Sequence, residues 1–409
     1  MVIQQVKYVN QTETTLNELL FVVEPNEDGQ SFWLKQVEDA GGETITQWQL
    51  NGVILRVALP EPIAPGEMTT LTLDYEIAIP SRAWLFGATP MQLNLGNAYP
   101  FVPPYRSDVG WMAYQPGLVG EHQSYDFADY TVSLTIIGGD DLVLAASAPT
   151  AKVGAQWEMK ATAARNITFS LSPAYEVQTD TFGHVTVHSY AFPQDREASK
   201  AVLRATGQAL EFYQVLFGPY PSDHLSVVEA LFPDGMEFDG MYFLGSEYYA
   251  GFDGTPYNYL TAIAVHETAH QWWYALLNND QAMEPWLDET LATYSELLYY
   301  EYYYPDQVDW WWNFRVNSFA PANDSLLGDP IYKYGHIRPY INATYLRGAQ
   351  FMQDVREIMG DDAFFAALQT YALRYRHQLV TSQDFFRILD EFSQADISPL
   401  LEAYFGVVE

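Results

Sequence analysis

At Pro193 the chain changes period, and that change limits what it can fold into. Before it, apolar and polar residues alternate one by one, as in MTTLTLDYEIAIP (Met68 to Pro80), YTVSLTII (Tyr130 to Ile137) and HVTVHSYAF (His184 to Phe192). Such alternation builds strands with one covered face. Gly138, Gly139 and YPFVPPY (Tyr99 to Tyr105) punctuate it as loops. After it, Ala201, Val202, Leu203, Ala205, Leu210, Phe212 and Leu216 recur at helical spacing, in a helix that Asp195 can cap and that Gly218 and Pro219 stop. The fold class expected is therefore α+β, with an all-β domain over residues 1–193 and a mainly helical domain over residues 194–409. A length of 409 residues suits two such domains.

Charge and residue usage narrow the function. The chain carries 52 Asp and Glu against 19 Lys and Arg, a formal charge of -33. That field repels nucleic acid and anionic headgroups, so neither is an expected partner. It suits a solvated surface and also a salty or extracellular setting; an extracytoplasmic or secreted location, with any leader removed, is favoured, and a cytoplasmic one is the alternative. There is no cysteine, hence no thiolate nucleophile and no disulfide frame, and a metal would have to be held by His and carboxylates. No apolar run reaches the ~18 residues of a membrane span, and MVIQQVKYVN lacks the pattern of a signal peptide.

In the second half a short strand is expected over HLSVVEALF (His224 to Phe232). Thr255 and Pro256 then open a helix that runs to Asn278 and Asn279. A second helix starts near Pro285 and must finish by Pro305; a later one spans Ile341 to Gly360. The aromatic cluster from Tyr299 to Trp312 reads as core or cleft wall.

The first of these helices contains AVHETAHQWW, Ala264 to Trp273. Positions i and i+4 of a helix stack on one face about 6 Å apart, so His266 and His270 can aim ring nitrogens at one point. Two imidazoles suit zinc. Glu267, one step around the helix, can reach a water at such a metal without being a ligand, as a general base must. Accident would place this pattern in the chain with a frequency on the order of one per cent. Catalytic zinc takes three protein ligands and keeps one position open. The next helix offers PWLDETLATY, with Glu289 eighteen residues beyond His270. That gap lets one helix end, a loop turn, and an antiparallel helix bring a carboxylate back. His122, His184, His188, His224, His336 and His377 fit no ligand spacing and receive no metal role.

These residues resemble the zinc aminopeptidases of the membrane alanyl aminopeptidase and leukotriene hydrolase type, a branch of the gluzincins. The signature of that family is H-E-x-x-H, eighteen residues, then Glu within W-L-N-E-G-F-A; this chain reads H-E-T-A-H, eighteen residues, W-L-D-E-T-L-A. The resemblance implies a thermolysin-like catalytic domain with one zinc ion on His266, His270 and Glu289, and Glu267 as base. DGMEF (Asp234 to Phe238) is similar to the family's G-A-M-E-N strand, which implies that Gly235, Met236 and Glu237 bind substrate and that Glu237 grips its free α-amine. YLRG (Tyr345 to Gly348) is similar to Y-E-K-G, which makes Tyr345 the donor to the oxyanion. Asp234, Phe238, Asp288 and Arg347 replace the family's Gly, Asn, Asn and Lys. The implied activity is hydrolysis of the first peptide bond of peptides with a free N-terminus. The chain looks trimmed at its start and stops near the end of the catalytic domain, without the C-terminal helical domain of larger relatives. The more open cleft expected from this keeps endopeptidase activity as the alternative, and a silent peptide-binding protein as a further one.

Overall fold

The computed structural model describes residues 1–139, 141–319 and 326–406. Two compact units emerge: Met1–Pro116 with His122–Asp126, and Gly117–Glu121 with Phe127–Glu409. The change from strand to helix falls at Pro193–Asp195, a single 3-10 turn.

The first unit holds two three-stranded antiparallel sheets. Met68–Ile77 lies between Val2–Val9 and Phe32–Glu38, and Ile54–Ile63 lies between Leu16–Val22 and Trp48–Asn51. Alternation decides which side chains meet: Leu71, Leu73 and Tyr75 from one central strand and Leu55, Val57 and Leu59 from the other join Leu19, Phe21 and Val37 in one buried cluster.

The second unit begins with a three-stranded sheet (Ala128–Thr135, Gln156–Ala164, Thr150–Val153) and continues into a five-stranded one. The spatial order of the latter is Glu176–Phe182, Val185–Ala191, His224–Ala230, Met241–Gly245, Gly235–Phe238. Val185–Ala191 and His224–Ala230 are parallel, so the chain must cross over between them, and the helix Arg196–Phe217 does so. Gly207 permits the close packing, since a Cβ there would fall 2.1 Å from the Phe182 ring. Gly235–Phe238 pairs only with Met241–Gly245 within this sheet and forms its edge.

The expected succession of strands and helices is observed, with three corrections. The helix of the two histidines spans Tyr259–Trp273; its cap is Asn258, whose Oδ1 accepts from the backbone of Thr261 at 3.0 Å, and not Thr255. It ends well before Asn278, because Asn278–Asn279 is drawn into a parallel pairing with Leu379–Val380. The helix expected from Ile341 starts at Ile337 and carries a π-helical stretch, Asn342–Arg347, before Gly348–Met359. Asp195 takes the cap position of its helix without a side-chain capping bond. Among the described residues no helix is long and apolar enough to cross a membrane.

Candidate functional site

Every residue of Tyr259–Trp273 after Tyr259 is buried, so this helix has no solvent face on which polar groups could be idle. The following helix, Trp286–Tyr303, packs along it and is buried through Tyr300. Between them His266 Nε2, His270 Nε2 and Glu289 Oε2 converge. The two nitrogens are 3.1 Å apart, and the oxygen is 3.2 Å from His266 and 3.5 Å from His270. Ligand atoms about 2.0–2.1 Å from a tetrahedral zinc stand about 3.3 Å from one another. The three atoms thus trace one face of such a tetrahedron, and the donor set fits zinc.

Electrostatics agree with geometry. Burial alone would depress both imidazoles, yet Glu289 and Glu296 hold His266 at about 9, and Glu237 and Glu289 hold His270 at about 9. Carboxylates that retain those protons would equally retain a divalent cation in their place. Burial raises Glu289, but the two histidines win and bring it well below the usual carboxylate range.

A second tier fixes the first. His266 Nδ1 donates to Glu296 Oε1 at 3.0 Å, which leaves Nε2 turned to the metal position. Glu296 is fully buried and is itself held by Arg315, through Nε at 2.7 Å and a terminal nitrogen at 2.6 Å, and by Trp311 Nε1 at 3.0 Å. Arg315 sits on a π-helical turn, Trp312–Val316, as Tyr345 sits on the other. Such turns insert an extra residue and re-aim side chains. Tyr345 lies over His266 with ring centroids 5.9 Å apart and planes 16° from parallel, and it is only partly buried.

Glu237 and Glu267 gather about His270. Together with His270 they offer ligand atoms that all lie within 4.8 Å of one another. Gln271 of the histidine helix ties the edge strand down: its Nε2 donates to Phe238 O at 3.1 Å and its Oε1 accepts from Gly240 N at 3.0 Å. Gly235 lets strand and helix touch, since a Cβ there would lie 2.2 Å from Glu267 Oε1. Glu267 Oε2 is buried and has no partner among the described residues. Burial and the charges of Glu237 and Glu289 push its carboxyl well up, with His270 opposing.

All the residues singled out in the sequence, His266, Glu267, His270, Glu289, Glu237, Gly235, Met236 and Tyr345, lie on these elements. Four more belong with them and carry no local motif: Glu296, Arg315, Gln281 and Glu121. Glu296 could have been found, because it follows Glu289 by seven residues and two helical turns return it to the same face. Glu121 is raised by burial and then by Glu237, Glu289 and Asp288.

The chain is similar to known proteins in sequence and in fold. Residues 202–404 match the family described as Peptidase family M1 domain. The probable aminopeptidase 2 of Sulfurisphaera tokodaii is 23% identical over 246 residues, 56% of this chain and 31% of its own. Endoplasmic reticulum aminopeptidase 2 of Homo sapiens is 26% identical over 226 residues, 51% of this chain and 23% of its own. The chain therefore spans about a quarter to a third of the length of these relatives. Among solved structures, the M1 zinc metallopeptidase of Deinococcus radiodurans superposes with a TM-score of 0.67 at 18% identity, covering 100% of this chain and 90% of that one. A mutant of it bound to a Tyr-Ser-Ala substrate gives 0.68.

Proposed function

We propose, on the premise of the match of residues 202–404 to the peptidase family M1 domain, that this chain is a zinc-dependent aminopeptidase that hydrolyses the N-terminal peptide bond of peptides. His266, His270 and Glu289 hold the zinc. When bound, the ion supplies Lewis acidity, bringing the pKa of water to about 7 and polarising the scissile carbonyl. Glu267 removes a proton from the attacking water as its oxygen bonds to the carbonyl carbon, and returns that proton to the departing amine as the C–N bond breaks. The Tyr345 hydroxyl donates to the oxygen on which negative charge develops. Glu237, on the edge strand with Gly235 and Met236, pairs with the substrate's free ammonium and so sets the first peptide bond over the metal position.

One observation carries the reading: three ligand atoms with tetrahedral spacing, flanked by two further buried carboxylates, Glu267 and Glu237, whose oxygens lie within 4.8 Å of His270. A metal needs the first three; a base and an amine anchor account for the other two. The test compares turnover of a free-amine tripeptide with its N-acetylated twin, in the wild type and in Glu267→Gln. A strong preference for the free amine, abolished with all turnover in Glu267→Gln, is expected. Equal rates for the twins would remove the aminopeptidase assignment, and an active Glu267→Gln would remove the base.

A further inference from the structure

Gln281 lies just past Asn278–Asn279, in the segment leading from the histidine helix to the helix of Glu289. It is 1% exposed, and its Nε2 donates to Glu237 Oε1 at 2.9 Å. The other end of the same amide, Oε1, is also buried and accepts no hydrogen bond among the described residues. Turning the amide over would set two acceptors face to face, so the carboxylate dictates which end it meets. Buried acceptors without donors are rare, because removing them from water costs free energy that only a new donor returns. Here a donor can arrive with the substrate. An ammonium brings three N–H groups, more than one carboxylate oxygen can serve.

We propose that Gln281 is a specificity-determining residue of the amine subsite: its Nε2 fixes the Glu237 carboxylate, and its free Oε1 accepts a further N–H of the substrate's terminal ammonium. The inference rests on the aminopeptidase reading above. Glutamine suits the task because it adds an acceptor without adding charge, next to a site that already buries Glu267, Asp288 and Glu289. Glu237 alone would supply attraction; the pair supplies direction, since two acceptors on different elements define where the nitrogen must sit.

The test is Gln281→Met, which keeps the length of the side chain and removes both polar ends. With zinc content shown to be unchanged, kcat/KM for the free-amine tripeptide falls ~10–100-fold, the loss of one hydrogen bond to a charged group, while the N-acetylated twin changes less than about twofold. The loss resides mainly in KM, because the ammonium is held alike in ground and transition states. An undiminished preference for the free amine, or an equal fall for both twins, overturns the proposal. A wild type that cleaves both twins equally instead sinks the reading beneath it and takes this inference along. Should the variant fail to fold, a crystal structure of the wild type soaked with L-leucine decides. The amine nitrogen is expected within about 3.2 Å of Gln281 Oε1, and a separation beyond about 4 Å refutes the assignment.

Discussion

Replacing Arg315 by methionine strands a buried carboxylate. Glu296 is 0% exposed and Arg315 9%, and two charge-assisted hydrogen bonds of 2.6 and 2.7 Å join them. In the variant Glu296 keeps only Trp311 and His266 as donors. Breaking a buried pair from one side costs about 3–5 kcal/mol, because the remaining charge is uncompensated, and that is a large share of the ~5–15 kcal/mol that holds a domain folded. Replacing both partners costs less, so Arg315→Met combined with Glu296→Gln should be more stable than Arg315→Met alone, a sign reversal that no sum of independent effects produces. Urea unfolding of the zinc-free protein, followed by tryptophan fluorescence, measures both terms. Zinc affinity supplies a second reading: Glu296→Gln, which removes the charge behind His266, lowers it ~10–100-fold. A loss below about 1 kcal/mol in Arg315→Met, or strict additivity in the double variant, would refute the reasoning.

Three further expectations follow from particular contacts. Gly235→Ala drives a methyl toward Glu267 Oε1, 2.2 Å away, and toward Ile263 Cγ2, 2.8 Å away; kcat should fall ~100-fold with zinc content intact, as displacement of a base by about 1 Å does, and a fully active variant counts against Glu267 as the base. Tyr345→Phe keeps the ring over His266 and removes only the hydroxyl, so kcat drops ~10²–10³-fold without loss of metal; less than a tenfold drop excludes the oxyanion role. Burial brings His224 down to about 4, with its Nε2 3.0 Å from Ala146 O. Because the unfolded chain takes up that proton first, near pH 6.5, stability is intact above that value and is lost as pH falls toward 4. The loss is about 3 kcal/mol at most, and His224→Gln should flatten that part of the urea-unfolding profile between pH 7 and 4.5.

What the sequence disclosed depends on whether a property is periodic. Strand alternation at Met68–Ile77 and the helical spacing after Arg196 are repeated many times, so each supports the next and the α+β order emerges from them. The metal face is legible for the same reason, since His266 and His270 share a helix face and Glu289 is reachable from the next helix. Tyr345 and Arg315 are different. Each owes its aim to one π-helical turn, a single added residue that leaves the surrounding apolar pattern untouched. The cap was misplaced because Thr255–Pro256 and Asn258 are all competent starts, and only the hydrogen bond to Thr261 N distinguishes them. Gln281 lies in a segment without periodicity, and its partner Glu237 is 44 residues away, so only the folded backbone joins them.

On the proposed reading, the balance of charge around the metal position would favour a chain end. Glu237, Glu267, Asp288 and Glu289 are all buried there, and Glu121 feels three of them. A divalent ion offsets two negative charges. The remainder must be met by protons or by a cation that comes with the substrate, and burial makes unmet charge expensive. A peptide with a free ammonium brings that charge to Glu237; an acylated one brings none and leaves the carboxylate desolvated against an amide. Discrimination of this kind is repulsive as well as attractive, and it is the larger because these carboxylates are buried. It follows that covering the amine should cost more than the hydrogen bonds it removes. A plain test is Glu237→Gln, which erases the penalty along with the attraction. The variant should cleave free-amine peptides far more slowly yet close much of the gap to their acetylated twins, whereas an unchanged ratio between the two would show that charge at Glu237 has no part in the choice.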